Sequence, residues 1–194
     1  MDIYANFAQL QQHEAVDAFE ITLVDRQAVA SIIAPHGGNI EPGTTELAHL
    51  IAADSCNLYV FNACKEQNSP DLHITSHHFD EPQCLALLSR SRHAITVHGF
   101  KFDRAMIYLG GLDTGLKQHI FQSLLAAGLP VGDDHPKYQG KRPSNICNRT
   151  LTGMGVQLEV SRHLRSCKQQ RLKIAAAVQI ALRTYKISLE ASTI

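Results

Sequence analysis

Eleven histidines in 194 residues are the one unusual count in this chain, and neutral imidazole is the commonest protein ligand for a metal ion. A histidine is followed five residues later by an acid three times: His36/Glu41, His49/Asp54 and His98/Asp103. On a helix, positions five apart diverge by about 140°. His49 and Asp54, in a helical stretch, therefore cannot converge and read as an exposed face. His36 and Glu41 lie instead in Ala34-Pro35-His36-Gly37-Gly38-Asn39-Ile40-Glu41-Pro42-Gly43-Thr44, where two glycines let the chain turn sharply and bring both side chains to one point. Alone, that pair fits a metal site or a strand-end histidine in an ordinary turn equally well. His98 favours the metal. It ends Ala94-Ile95-Thr96-Val97-His98 and, like His36, has a glycine behind it, so both imidazoles can share one rim of a sheet. Two imidazoles and a carboxylate are the protein half of an open zinc site.

Hydrolysis at such a site needs a base. In Gly155-Val156-Gln157-Leu158-Glu159-Val160-Ser161 the apolar residues share one face, and Gln157, Glu159 and Ser161 share the other. A glutamate inside a buried strand is rare unless paired or functional. Glu159 is therefore a candidate general base, or else a solvent-facing residue of an edge strand bridged to Arg162 or Arg165. His93 has the opposite parity to His98 and reads as structural. His73, His77, His78, His119, His135 and His163 have no comparable setting; of these, His77 and His78 are the ones expected to line a cleft.

The elements that must hold these residues alternate. Strands are expected at Phe19–Val24, Val29–Ala34, Leu58–Asn62, Leu72–Thr75, Ala94–His98, Met106–Leu109 and Val156–Val160. Helices are expected at Thr44–Ala53, Glu81–Arg90, Thr114–Ala127 and Cys167–Tyr185, with a loop from Gly132 to about Thr152. That order implies a single α/β domain over residues 1–194, with a mixed, largely parallel sheet flanked by helices on both faces. Residues 1–18 match no motif and form a candidate N-terminal cap.

Composition excludes several classes. Eighteen Lys+Arg balance eighteen Asp+Glu, only 6% of residues are aromatic and there is no Trp, which disfavours a nucleic-acid-binding module. No apolar run is long enough to span a bilayer, and the N-terminus lacks the basic and apolar regions of a secretory signal. Five separated cysteines without a C-x-x-C read as reduced thiols, and a cytoplasmic location and a monomer are the expectation. There is no G-x-S-x-G, no H-E-x-x-H and neither nucleotide-binding glycine fingerprint.

Four blocks in order resemble the poly-γ-glutamate hydrolase family of phages and bacteria: P-H-G-G-x-I-E-P-G-T-x-E-L-A, T-V-H-G-F, N-I-C-N-R and G-V-Q-L-E-V-S-R-x-L-R. Some members of that family are labelled phage-related replication proteins. The resemblance runs from about Ala30 to Arg165. It implies a fold similar to the zinc carboxypeptidases and one zinc ion (Zn2+) per chain on His36, Glu41 and His98. It also implies endo-type hydrolysis of γ-glutamyl amide bonds by a zinc-activated water, with Glu159 as base. Such a polymer carries a carboxylate on every unit, and carboxylates are held best by Arg and by amide donors. The loop from Lys141 to Arg149 is rich in both, so Arg142, Asn145, Asn148 and Arg149 are candidate substrate contacts. Arg162 and Arg165 stand either to neutralise the tetrahedral intermediate or to pair with Glu159. Because the net charge is zero, attraction for a polyanion must be local. The alternatives are a zinc deacylase or carboxypeptidase acting on another amide, and a non-catalytic replication accessory protein.

Overall fold

The computed structural model describes residues 2–133 and 135–191, of which 186–191 by backbone alone. Among the described residues the strands are β1 (Phe19–Val24), β2 (Ala30–Gly38), β3 (Asn57–Ala63), β4 (His93–Phe100), β5 (Ile107–Gly111), β6 (Val131–Asp133) and β7 (Val156–Ser161). They build one sheet in the order β1-β3-β2-β4-β7-β5-β6. Four of its six pairings are parallel; β1 with β3 and β5 with β7 are antiparallel. The expected mixed, largely parallel α/β architecture is what forms.

Helices cover both faces. On one, α2 (Thr44–Ala52), α4 (Thr114–Ala126) and α6 (Lys168–Ala191) pack Ile51, Ile120 and Val178 over Ile32, Ile95 and Leu158. On the other, α1 (Phe7–His13) and α3 (Pro82–Leu88) pack Phe7, Leu10 and Leu87 with Ile33 and Phe61. Burying a side chain such as Leu158 stabilises the fold by roughly 1.5–3 kcal/mol. Strand β7 runs between β4 and β5 and is buried throughout. Glu159 is therefore not on an edge strand. A one-turn helix, α5 (Arg162–Ser166), follows it directly.

Three local expectations differ. Leu72–Thr75 is not a strand: Ser69–Leu72 forms a 3-10 turn with Pro70 at its start, where the fixed φ and missing N–H suit a turn and not a ladder. Leu72 and Ile74 still point alternately inward, because both anchor in the second core. The loop from Gly132 contains the end of β6 and a 3-10 turn at Ile146–Asn148. Residues before Ala18 supply α1, capped by the Asn6 side chain on the Gln9 amide, and put Phe7 and Leu10 into the second core.

Candidate metal centre

Strand parity decides which side chains can meet. Ile95 and Val97 of β4, and Val156, Leu158 and Val160 of β7, face the first core. His98 and Glu159 therefore face the opposite side, and they are direct register partners across the β4–β7 ladder. Along β2, Ile32 and Ala34 face the first core and Ile33 the second, so strict alternation would turn His36 away from His98. A bulge corrects this. Ala34 pairs with Val60 but Gly37 with Asn62, so Pro35 and His36 together oppose Phe61. The extra residue re-aims His36 onto the face that carries His98.

Beyond His36, Gly38 takes a left-handed φ of 62° and the chain folds back on itself. The Glu41 amide donates to the His36 carbonyl at 3.0 Å, and the Thr44 hydroxyl donates to the Glu41 carbonyl at 2.8 Å. This turn delivers the Glu41 carboxylate to the imidazoles. His36 Nδ1 lies 3.2 Å from Glu41 Oε1 and 3.1 Å from His98 Nδ1, and His98 Nδ1 lies 3.9 Å from Glu41 Oε2. Ligands bonded tetrahedrally to zinc near 2 Å stand about 3.3 Å apart, so the spacing suits one such ion.

The donor set fits the metal chemically as well. His36 Nε2 lies 2.8 Å from the Ile74 carbonyl, which it can satisfy only as a donor, leaving the Nδ1 lone pair aimed at the group. Glu41 Oε2 accepts from the Gly99 amide at 2.7 Å. Two buried ring nitrogens facing each other beside a carboxylate suit a cation between them. Burial pulls the His98 pKa down to about 3, assisted by neighbouring His36. His36 is also lowered by burial, but the Glu41 carboxylate more than reverses this, and burial of Glu41 is likewise outweighed by His36.

Glu159 Oε1 accepts from Gln157 Nε2 at 2.9 Å, and Gln157 Oε1 accepts from Asn145 Nδ2 at 3.0 Å. Burial, and then the Glu41 carboxylate, push the Glu159 carboxyl up to about 8. A carboxyl tuned to that range exchanges protons near neutral pH.

These groups form the floor of a groove of ≈ 1610 Å³. Arg142 and Asn145 line it; Arg149 is exposed and does not. Asn148 is buried and does not line it either. Its amide donates to the Gly140 and Arg142 carbonyls, and its oxygen accepts from Leu112 and Gly155. Neither Arg162 nor Arg165 pairs with Glu159 among the described residues: Arg165 donates to the Val160 and Pro42 carbonyls instead. His77 and His78 line the groove as expected, and His93 sits apart, 3.3 Å from Asp113.

Among the groove residues to which sequence reasoning gave no role are His73 and Asp2. The His73 ring lies 4.1 Å from that of His36, centroid to centroid. Asp2 accepts from His73 Nδ1 at 2.8 Å and from the Thr75 amide at 2.7 Å. No motif marks either residue. The run of inward-pointing Leu72 and Ile74 was the available signal that this stretch returns to the sheet.

The fold is a mixed α/β sheet of the zinc-carboxypeptidase kind, with two histidines and a glutamate gathered at the rim of its central strands. The chain belongs to the poly-gamma-glutamate hydrolase family, whose model matches residues 4–184. It is similar to the UPF0714 protein YndL of Bacillus subtilis (strain 168), at 33% identity over 82% of this chain and 64% of that protein. It is also similar to the SPbeta prophage-derived UPF0714 protein YoqZ of the same organism, at 36% identity over 82% of this chain and 59% of that protein. The chain thus spans about six-tenths of the length of these two curated relatives. A solved bacteriophage poly-gamma-glutamate hydrolase superposes with a TM-score of 0.93 at 31% identity, covering 96% of this chain and 99% of its own. A zinc-free YndL structure superposes at 0.89 with 28% identity, covering 94% and 98%. No described helix is long and apolar enough to cross a membrane.

Proposed function

We propose that this protein is a zinc-dependent amidohydrolase that cuts γ-glutamyl amide bonds within poly-γ-glutamate. The observation that carries the reading is the convergence of His36, Glu41 and His98, with ligand atoms within 4.8 Å of one another, beside Glu159 in a chain of this family. His36, Glu41 and His98 hold one zinc ion. That ion supplies a Lewis acid for the scissile carbonyl and lowers the pKa of the attacking water.

The chain's own groups do the rest. Glu159 in its anionic form takes a proton from the attacking water and returns it to the leaving amine. Water is thereby divided between the carbonyl carbon and the amine nitrogen. Gln157 and Asn145 hold the Glu159 carboxyl in place, and Arg142 receives a substrate carboxylate from the groove wall. Asn148 acts at one remove by fixing the loop that carries Arg142.

The test is metal analysis with product sizing on γ-polyglutamate. About one zinc per chain and internal cutting are expected. Glu159→Gln should keep the metal and lose turnover, whereas His36→Ala should lose the metal. Full-rate degradation by a metal-free preparation would overturn the proposal.

A further inference from the structure

The groove does not end at the candidate metal ligands. A second cavity of ≈ 660 Å³ shares Glu41, Pro70, His73, Gly99 and Lys101 with it and extends to residues that do not line the groove. Its wall carries Arg162 and Arg165 from α5 and Arg171 from the first turn of α6. With Lys101 these are four cations set against Glu41 and Glu46, and Glu41 belongs to the metal group.

The chain as a whole is neutral, so this is a local concentration of positive charge. Arg165 is engaged by the Val160 and Pro42 carbonyls. Among the described residues, Lys101, Arg162 and Arg171 have no carboxylate oxygen within 4.0 Å. Arg171 Nη1 donates to the Arg165 carbonyl, but its Nε is buried with no partner. Burial pulls the Arg165 pKa down, Glu41 opposes that, and the nearby Arg162 pulls it down further, as crowded like charges do. Cations that outnumber the carboxylates of a cavity wall favour an anion there, and planar guanidinium groups match carboxylates best.

We propose that this cavity is an anion subsite for carboxylates of a γ-glutamyl chain on one side of the scissile amide, with the Arg142 lobe taking those on the other. The proposal rests on the function proposed above. A substrate held on both flanks is cut internally, and one too short to reach both lobes binds more weakly.

The test uses Lys101→Gln/Arg162→Gln. Both side chains are exposed and make no hydrogen bond among the described residues, so the variant should fold as the parent does. Arg149→Gln, outside both cavities, controls for loss of charge alone. Binding of a γ-glutamyl oligomer long enough to cross both lobes is measured on the Glu159→Gln protein, with zinc and after chelation. KM and kcat on γ-polyglutamate are measured on the catalytically intact protein. The double variant should weaken oligomer binding and raise KM about tenfold with kcat nearly unchanged, as loss of charge-assisted hydrogen bonds implies, and should flatten the salt dependence of KM. The control should match its parent. A parent that cuts the polymer and a double variant that binds and cuts equally well would overturn the subsite alone. A parent that binds the oligomer but does not cut, with binding lost in the double variant, would overturn the hydrolase reading and keep the subsite. A parent that neither binds nor cuts would overturn both.

Discussion

The Arg165 guanidinium occupies the space that a side chain at Gly99 would need: a Cβ there would lie 2.2 Å from Arg165 Cζ. The same glycine presents its amide to Glu41 Oε2 at 2.7 Å. Arg165 in turn ties the end of β7, through the Val160 carbonyl, to the Glu41 loop, through the Pro42 carbonyl. The carboxylate of the candidate metal group is thus positioned by a contact that only glycine permits. Gly99→Ala should destabilise the fold by roughly 1–3 kcal/mol, the cost of overpacking a filled site. It should also weaken zinc retention by about tenfold or more, as loss of an orienting partner does. Arg165→Lys, which lacks the two separate nitrogens that reach the Val160 and Pro42 carbonyls, should weaken retention too. Competition with a chelator reads both; undiminished zinc affinity in Gly99→Ala would refute the account.

Removing the metal should itself be felt in stability. Without a cation, His36 Nδ1 and His98 Nδ1 face each other at 3.1 Å in a buried site. A ligand that binds only the folded state at 100 times its Kd adds about 2.7 kcal/mol. Chelation should therefore lower the Tm of the parent protein by several degrees, roughly 2–4 °C per kcal/mol in a chain of this size. The Tm of His98→Ala should not respond to chelator, whereas that of His93→Ala should respond as the parent does. Calorimetry with and without chelator decides it.

The loop from Lys141 to Arg149 separates structural from exposed side chains. Asn148→Ala removes four hydrogen bonds to backbone groups and leaves buried partners unsatisfied, which should cost about 2–4 kcal/mol. Arg149→Ala, at an exposed position, should change stability by less than about 0.5 kcal/mol. Chemical denaturation of the two variants measures the difference directly.

The candidate metal group was legible because each member sits at the end of, or just past, a strand whose apolar run is plain, and because glycines mark where the backbone turns. Glu159 was legible from the parity of Val156, Leu158 and Val160. Its place within the sheet was not, since an edge and a central strand can share one pattern. The bulge at Pro35 and His36 was equally hidden: it is a slip against β3, and period-two reading of β2 alone points His36 at the wrong core. Asp2 and His73 meet across 71 residues of sequence, and no local spacing carries that. Asn148 was read by residue type as a substrate donor. The same amide chemistry serves four backbone groups instead, and only the surrounding carbonyls and amides distinguish the two uses.

At the far end of the sheet, Asp113 joins three elements, and its charge makes stability depend on pH. Its Oδ1 accepts from the Leu116 amide at the start of α4 at 3.0 Å and from the Tyr185 hydroxyl at 3.2 Å, while Oδ2 lies 3.3 Å from His93 Nδ1. Burial raises its pKa, but the His93 and Leu116 hydrogen bonds outweigh that, and the net shift is downward from 3.8. A carboxylate with a depressed folded-state pKa contributes stability that is complete above its unfolded value and lost as pH falls through the folded one. Asp113→Asn keeps an oxygen to cap α4, since asparagine caps as well as aspartate, but carries no charge. The variant should be less stable than the parent at pH 7, and the gap should narrow as pH falls below about 4. Tm measured against pH for both proteins tests this: a gap that stays constant from pH 7 to pH 3 would mean that the Asp113 charge contributes nothing to the fold.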